Sequence, residues 1–420
     1  MTSASPSSDL RRVYEPIKDA IDTRVNGLAR QFLRDLGVNI PTELRDAFLT
    51  ATLGGKRFRA FIAVSGAAIA YEAEKADAPS AHFDAQPNEE AGRGEARSTA
   101  DPCAEGDEDV LNQVVAALNK AAANPTVMDV AVALEFYQGA ALVHDDIIDR
   151  SDTRRGRPTT HVAMAAHHAS NQLIGDDASF GHDAAILTGD LLLAAADYAL
   201  ARATANLPPA GGSALLNQYS LMAGEVAVGQ YLDTSITYAP LMSSTSGSAG
   251  TAQTLEKTFA VVRSKSARYS VVNPALLGWI AACPTIPPHV SLEAIFEPAG
   301  VAFQLRDDVL GVTGVEEATG KPTGIDVSEG KRTVLLALAL SEANPSQSAE
   351  LEAIYSKDNL EEDDIARAVS LITELGVKRH ERVIEHLIEE ARVQLNSSTL
   401  PAPAKCLAHH LTGLLVDRTA

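Results

Sequence analysis

The chain has 420 residues, 45% of them apolar and 5% aromatic, with 35 basic against 55 acidic side chains and a formal net charge of −20. Such acidity excludes a general affinity for nucleic acid or an anionic membrane, so an anionic ligand has to be held by local cations or a bridging metal. The apolar share is ample for a buried core, and the abundance of Ala and Leu beside so few aromatics favours helices over sheets.

In chain order, residues 1–8 are small and polar, and no apolar signal region follows them. From Leu10 to about Ala70 apolar positions recur at helical spacing, with a break at Pro41. Residues 73–109 are acidic, rich in Ala, Pro and Gly, and almost without large apolar side chains. Such a stretch cannot bury enough surface to offset its ordering entropy, so it reads as a disordered insertion between two helices of one domain. Helical periodicity resumes at Val110 and continues nearly to the end, interrupted by expected loops at 167–183 and 240–254 and by a Gly- and Pro-containing segment from Gly311 to Gly330. No uninterrupted apolar run of about 18 residues suggests a membrane span. Cys103, Cys283 and Cys406 form no CxxC pair, which argues against a disulfide framework or zinc site and fits a reducing cytosol. The expectation is a soluble, cytoplasmic, all-α protein, one large helical bundle spanning residues 1–420.

Residues 145–149 read Asp-Asp-Ile-Ile-Asp at the end of a helical pattern that includes Val130, Ala133, Leu134, Tyr137, Ala140 and Ala141. Asp145 and Asp149 then lie one turn apart on one face, where their repulsion is relieved by a hard cation such as Mg²⁺. Alone, the motif would more often be a solvated acidic helix end. Arg154 and Arg155 follow closely, however, and put guanidinium forks beside the carboxylates. A second apolar helix carries Asp307 and Asp308 in FQLRDDVLG, and downstream TGKPTGIDVSEGKRT supplies Lys321 and Lys331. Near the start, Gly54-Gly55-Lys56-Arg57-Phe58-Arg59 forms another cationic cluster. Each piece is weak by itself; metal-binding and phosphate-binding groups together point to a diphosphate site.

With GQYLD and RSKS between them, these motifs stand in the order found in the trans-isoprenyl diphosphate synthase (polyprenyl synthetase) family, which the chain resembles from about Tyr14 to about Leu340. The resemblance implies the isoprenoid-synthase helical fold around a central cavity and Mg²⁺ as cofactor, with three ions per site. It implies head-to-tail condensation of isopentenyl diphosphate with an allylic diphosphate, usually by a homodimer. Carried over by position, Asp145, Asp149 and Asp307 would be metal ligands, with Asp146 and Asp308 in support. Lys56, Arg59, Gln138 and Arg155 would bind isopentenyl diphosphate. Arg154, Lys265, Ser266, Gln304, Lys321 and Lys331 would hold the allylic diphosphate. Gln230 and Asp233 would line the same cavity. The released diphosphate would take the final proton, which leaves His144 and His161 structural. Two departures stand out: Gly311 replaces the third acid of the second motif, and Ser266 replaces the more usual Thr.

Product length is read from the helix before Asp145. Ala140 and Ala141 are small, and Tyr137 lies roughly 12 Å below Asp145 on helical rise. That depth suggests geranylgeranyl diphosphate, with farnesyl or longer products as the alternative. A class I terpene cyclase would carry a different second metal motif and an aromatic-lined pocket. A non-catalytic subunit of a heteromeric prenyltransferase would usually have lost one acidic motif or its cations.

Overall fold

The computed structural model describes residues 7–77, 108–239, 241, 247–286, 291–314, 323–357 and 359–416. Its helices are α1 (Ser7–Asp35), α2 (Thr42–Ala51), α3 (Phe58–Asp77), α4 (Glu108–Ala123), α5 (Pro125–Ile148), α6 (Thr160–Ser170), α7 (Asp177–Ala205), α8 (Pro209–Thr237) and α9 (Gly247–Val261). A π-helical segment (Val262–Val272) runs directly into α10 (Asn273–Ala282). Then come α11 (Ser291–Thr313), α12 (Ile325–Ser328), α13 (Val334–Glu342), α14 (Pro345–Tyr355), α15 (Glu362–Ser397) and α16 (Ala402–Val416). The only strands among the described residues are β1 (Thr153–Arg154) and β2 (Arg157–Pro158), a two-stranded antiparallel hairpin. The all-α expectation holds.

The centre of the fold is α5. Pro125 fits the first turn because its missing N–H would have no helical partner there, and the Asn124 side chain caps by accepting from the Thr126 and Val127 amides. From Val127 to Tyr137 every residue is buried, as expected of a helix that is apolar on all sides. It packs along α7 and against α3 and α10. Its acidic C-terminal end is where the run of apolar residues stops. Helix α11 buries Ile295, Phe296, Ala299 and Leu305, packs against the π-helical segment and α15, and carries Asp307 and Asp308 within its last two turns. Phe58 on α3 stacks on Phe303 of α11 with centroids 5.5 Å apart, which ties the first basic motif to the second acidic one.

Several sequence boundaries move. Helix α3 continues to Asp77 and α4 begins at Glu108, so the expected insertion of 73–109 is trimmed at both ends. The apolar face of each flanking helix carries the helix past the change in composition. Residues 78–107 lie outside those described. The loop expected at 167–183 shrinks to 171–176, because α6 ends at Ser170 and Asp176 caps α7 by accepting from the Ser179 amide. That cap lay inside a segment whose polar residues read as loop. Helix α9 likewise starts within the loop expected at 240–254.

Two further expectations are corrected. Helices α5 and α7 are each long and apolar enough to cross a membrane, although the sequence suggested no such run. Their scattered polar residues interrupt any continuous apolar run, while the average over 18 residues stays apolar. Most of α5 is nonetheless buried in protein. Cys283 is a free, buried thiol, but Cys406 is disulfide-bonded; distance along the sequence did not exclude pairing in space.

Candidate active site

The first acidic motif stands where α5 ends. Asp149 is the C-cap residue, and its amide donates to the Asp145 carbonyl at 2.8 Å, which puts the two side chains one turn apart. Burial first, and then the Asp145 charge, push the Asp149 carboxyl up to about 6, against the opposing pull of Lys265 and Lys331. Asp146 is buried at 4% exposure. Burial raises its pKa although Arg154 bonds it, with Nε at 2.6 Å and Nη2 at 2.5 Å from Oδ1.

Arg154 is held there by the β hairpin. Arg155 and Gly156 both have positive φ, 53° and 71°, the combination that a tight two-residue hairpin turn requires. The turn also lays the Arg155 guanidinium against Gly55, where a Cβ would stand 3.1 Å from Nη1. Gly55 itself has a φ of 94°, a backbone conformation that residues with a side chain rarely adopt. Burial and the neighbouring Arg154 and Arg57 lower the Arg155 pKa, the expected response of crowded cations.

Lys265 lies on the π-helical segment, a wider turn often met at functional sites. A Cβ on Gly229 of α8 would stand 2.7 Å from the Lys265 backbone nitrogen, so only glycine allows this approach. It brings Asp233, one turn further along α8, to Lys265: Nζ is 2.6 Å from Asp233 Oδ2 and 3.4 Å from Asp145 Oδ1. Ser266 is half-buried beside it, and Gln230 is half-buried one turn before Asp233.

On α11, Asp308 is 5% exposed and accepts from Gln304 Nε2 at 3.0 Å. Burial, followed by the charges of Asp326 and Asp307, drives its pKa well above the ordinary carboxylate value. Lys331 sits among Glu329 at 2.5 Å and Asp326 at 3.4 Å. These acids, with a contribution from Asp149, raise the Lys331 pKa despite burial. Lys331 thus feels the first acidic motif through Asp149 and the second through Asp308. The two clusters, far apart in the chain, face one site.

Lys56 is exposed at the rim, its backbone carbonyl held by the Tyr14 hydroxyl. Arg59 lies 4.3 Å over the Tyr269 ring and donates to Ser270 Oγ at 2.8 Å. Gln138 accepts from the Tyr269 hydroxyl at 2.7 Å. Lys321 lies outside the described residues. His144 Nε2 donates to the Ile186 carbonyl at 3.2 Å and His161 pairs with Thr159, consistent with structural roles.

Three residues were missed in the sequence. Arg57, 5% exposed at a φ of 48°, bonds Asp22 at 2.7 Å, Glu135 at 2.9 Å and the Thr52 carbonyl at 2.7 Å, fixing the turn that carries Lys56 and Arg59. Tyr269 links Arg59 to Gln138. Asp326 stands beside Gly311. Only Arg57 had a signal, its place inside GGKRFR.

Among the described residues, no three Asp, Glu, His or Cys side chains converge closely enough to hold a metal ion by themselves. Mg²⁺ does not require that. It is commonly held by one or two carboxylates and completes its octahedron with water and substrate phosphate. Paired hard carboxylates, one of them with its pKa raised by burial and by its neighbour, with lysines close by, fit cations that arrive together with a diphosphate.

A helical bundle that brings two acidic motifs to shared lysines, with a basic cluster nearby, is suited to bind a diphosphate through divalent cations. Known proteins narrow the class. The polyprenyl synthetase family profile matches residues 109–372. The chain is 29% identical over 247 residues to the short chain isoprenyl diphosphate synthase of Methanocaldococcus jannaschii, covering 59% of this chain and 65% of that one. It is 30% identical to the geranylfarnesyl diphosphate synthase of Aeropyrum pernix, covering 70% and 84%. The crystal structure of geranylgeranyl pyrophosphate synthase from Corynebacterium glutamicum, complexed with isoprenyl diphosphate and magnesium, superposes with a TM-score of 0.70 at 30% identity, covering 95% of this chain and 99% of that one. The chain belongs to the polyprenyl synthetase family, whose members are trans-prenyltransferases.

Proposed function

We propose that the protein condenses isopentenyl diphosphate with an allylic diphosphate, head to tail, and that all-trans geranylgeranyl diphosphate is its main product. The observation that carries this reading is the sharing of Lys331 and Lys265 between carboxylates of separate helices, which makes one cationic floor between two acidic walls. Asp145, Asp149 and Asp307 are the residues to hold Mg²⁺, three ions in all, with Asp146 and Asp308 supporting them. Bound there, the cations would neutralise charge on the departing diphosphate. Arg154, Lys265, Ser266, Gln304, Lys321 and Lys331 grip that diphosphate and stabilise it as the allylic C–O bond breaks. Lys56, Arg59, Gln138 and Arg155 hold isopentenyl diphosphate so that its double bond faces the allylic carbon, and proximity supplies much of the rate. In this reading the released diphosphate takes the proton to be lost, so no side-chain base is needed.

Three tyrosines support the product assignment. Tyr137 bonds the Ala223 carbonyl at 3.2 Å and meets Tyr219 and Tyr269 edge-on at 6.0 and 5.6 Å, a stiff floor two turns below Asp145. The outer face of α7 leaves Ile186 and Leu187 45% and 60% exposed, which supports a homodimer closed over that helix. We place the protein in the cytoplasm.

The test is incubation of the purified chain with Mg²⁺, isopentenyl diphosphate and farnesyl diphosphate, with products resolved by mass spectrometry. A twenty-carbon diphosphate is expected. Absence of any product would leave the non-catalytic subunit in its place.

A further inference from the structure

The second acidic motif ends in Gly311, one turn after Asp307 on the same face of α11. The space a side chain would take there is filled. A Cβ on Gly311 would lie 2.0 Å from Asp326 Oδ2, 2.5 Å from its Cγ and 2.9 Å from Oδ1. No residue but glycine fits unless Asp326 moves.

Asp326 has little freedom to move. It sits on α12, and Gly324 just before that helix has a φ of 76° and packs against Ile365 and Val369 of α15. The Asp326 carbonyl accepts from the Lys331 amide at 2.9 Å, and its carboxylate is 3.4 Å from Lys331 Nζ. With its side chain 13% exposed, the carboxylate is turned inward onto α11.

We propose that Asp326 is the third carboxylate of the second acidic motif, supplied by the following segment instead of by the helix, and that glycine at 311 is what admits it. In this role it accepts hydrogen bonds from water on the cations that the two motifs share, and it orients Lys331 toward the diphosphate. The proposal deepens the prenyltransferase reading and rests on it.

Moving the carboxylate back to the helix tests it. Mn²⁺ uptake in the presence of inorganic diphosphate, followed by electron paramagnetic resonance, reports the cation site independently of turnover. Asp326→Asn, nearly isosteric, should weaken that uptake about ten-fold, the usual scale for a residue that orients a metal's own ligands. Gly311→Asp alone should also weaken it, by forcing two carboxylates into one place. Gly311→Asp combined with Asp326→Ala should bring uptake back to within about three-fold of the native chain, on the same scale. A merely structural Asp326 would not be rescued, because a side chain at 311 replaces none of its contacts in the loop. Native-like uptake by Asp326→Asn, or a double variant no better than Asp326→Ala, overturns the proposal. If the native chain takes up no Mn²⁺ with diphosphate, the prenyltransferase reading falls as well.

Discussion

The Tyr269 hydroxyl donates to Gln138 Oε1 at 2.7 Å, and the same ring lies 4.3 Å beneath the Arg59 guanidinium. Two side chains assigned to isopentenyl diphosphate are therefore held by a third that belongs to neither motif. Fixing the Gln138 oxygen leaves its amide N–H₂ to face a phosphate. Tyr269→Phe removes the bond and leaves a half-buried acceptor unpaired, at a cost of about 1 kcal/mol or five-fold in affinity. KM for isopentenyl diphosphate should rise by that factor with kcat nearly unchanged. A fall in kcat at constant KM would contradict this arrangement.

Arg57 is a different kind of support. Its guanidinium joins α1 through Asp22, α5 through Glu135 and the end of α2 through the Thr52 carbonyl. Glu135 is 8% exposed and relies on it. Truncating one partner of a buried ion pair strands the other, so Arg57→Ala should cost about 3 kcal/mol in urea unfolding. The further change of Glu135 to Gln should recover part of the loss, since it removes the stranded charge. Equal stabilities for the native and Arg57→Ala proteins would mean that the network carries no weight.

The product floor makes a pair of opposed predictions. Ala141 is half-buried and lies on the stripe of Tyr137, Asp145 and Asp149, whereas Ala140 has no accessible surface at all. Ala141→Phe should therefore shorten products toward fifteen carbons, and Tyr137→Ala should lengthen them by at least one five-carbon unit. Ala140→Phe should chiefly lower the melting temperature by overpacking. Product profiles from mass spectrometry decide, and unchanged lengths in both Ala141→Phe and Tyr137→Ala would place the floor on another helix.

Much of this site was legible because it is written in runs. DDIID and FQLRDD each put several charged groups within one or two helical turns, so periodicity assigns their faces, while GGKRFR crowds its cations into the turn that enters α3. What stayed hidden are single residues whose meaning lies in a partner far along the chain. Tyr269 matters through Gln138, 131 positions away, and Arg57 through Glu135, 78 away. Gly311 reads as a lost acid in the sequence, yet Asp326, fifteen positions on, lies against it in space. Helix ends inside polar segments were hidden for a similar reason, since a capping Asp such as Asp176 has the composition of a loop. The π-helical geometry around Lys265 has no signature in RSKS. It lies where α8 approaches closely at Gly229 and α11 at Gly300, where a Cβ would meet Ala267 at 3.0 Å.

The last prediction concerns stability, away from the reacting groups. His380 on α15 is fully buried, and neither ring nitrogen has a hydrogen-bond partner. Burial, reinforced by Arg306, depresses its pKa to about 4. Glu381, the charged neighbour on the same helix, is engaged by Arg306 at 2.5 Å. Because the folded pKa lies below the ordinary value of 6.5, the unfolded chain binds a proton between those limits that the native protein refuses. Stability from this residue is intact above about pH 6.5 and is lost progressively as the pH falls to about 4, by about 3 kcal/mol in full. His380→Leu loses no hydrogen bond and cannot protonate. Its stability relative to the native protein should rise by about that amount between pH 7.5 and pH 4, measured by urea unfolding at each pH. Parallel stability curves for the two proteins would show that His380 is protonated as readily in the fold as out of it.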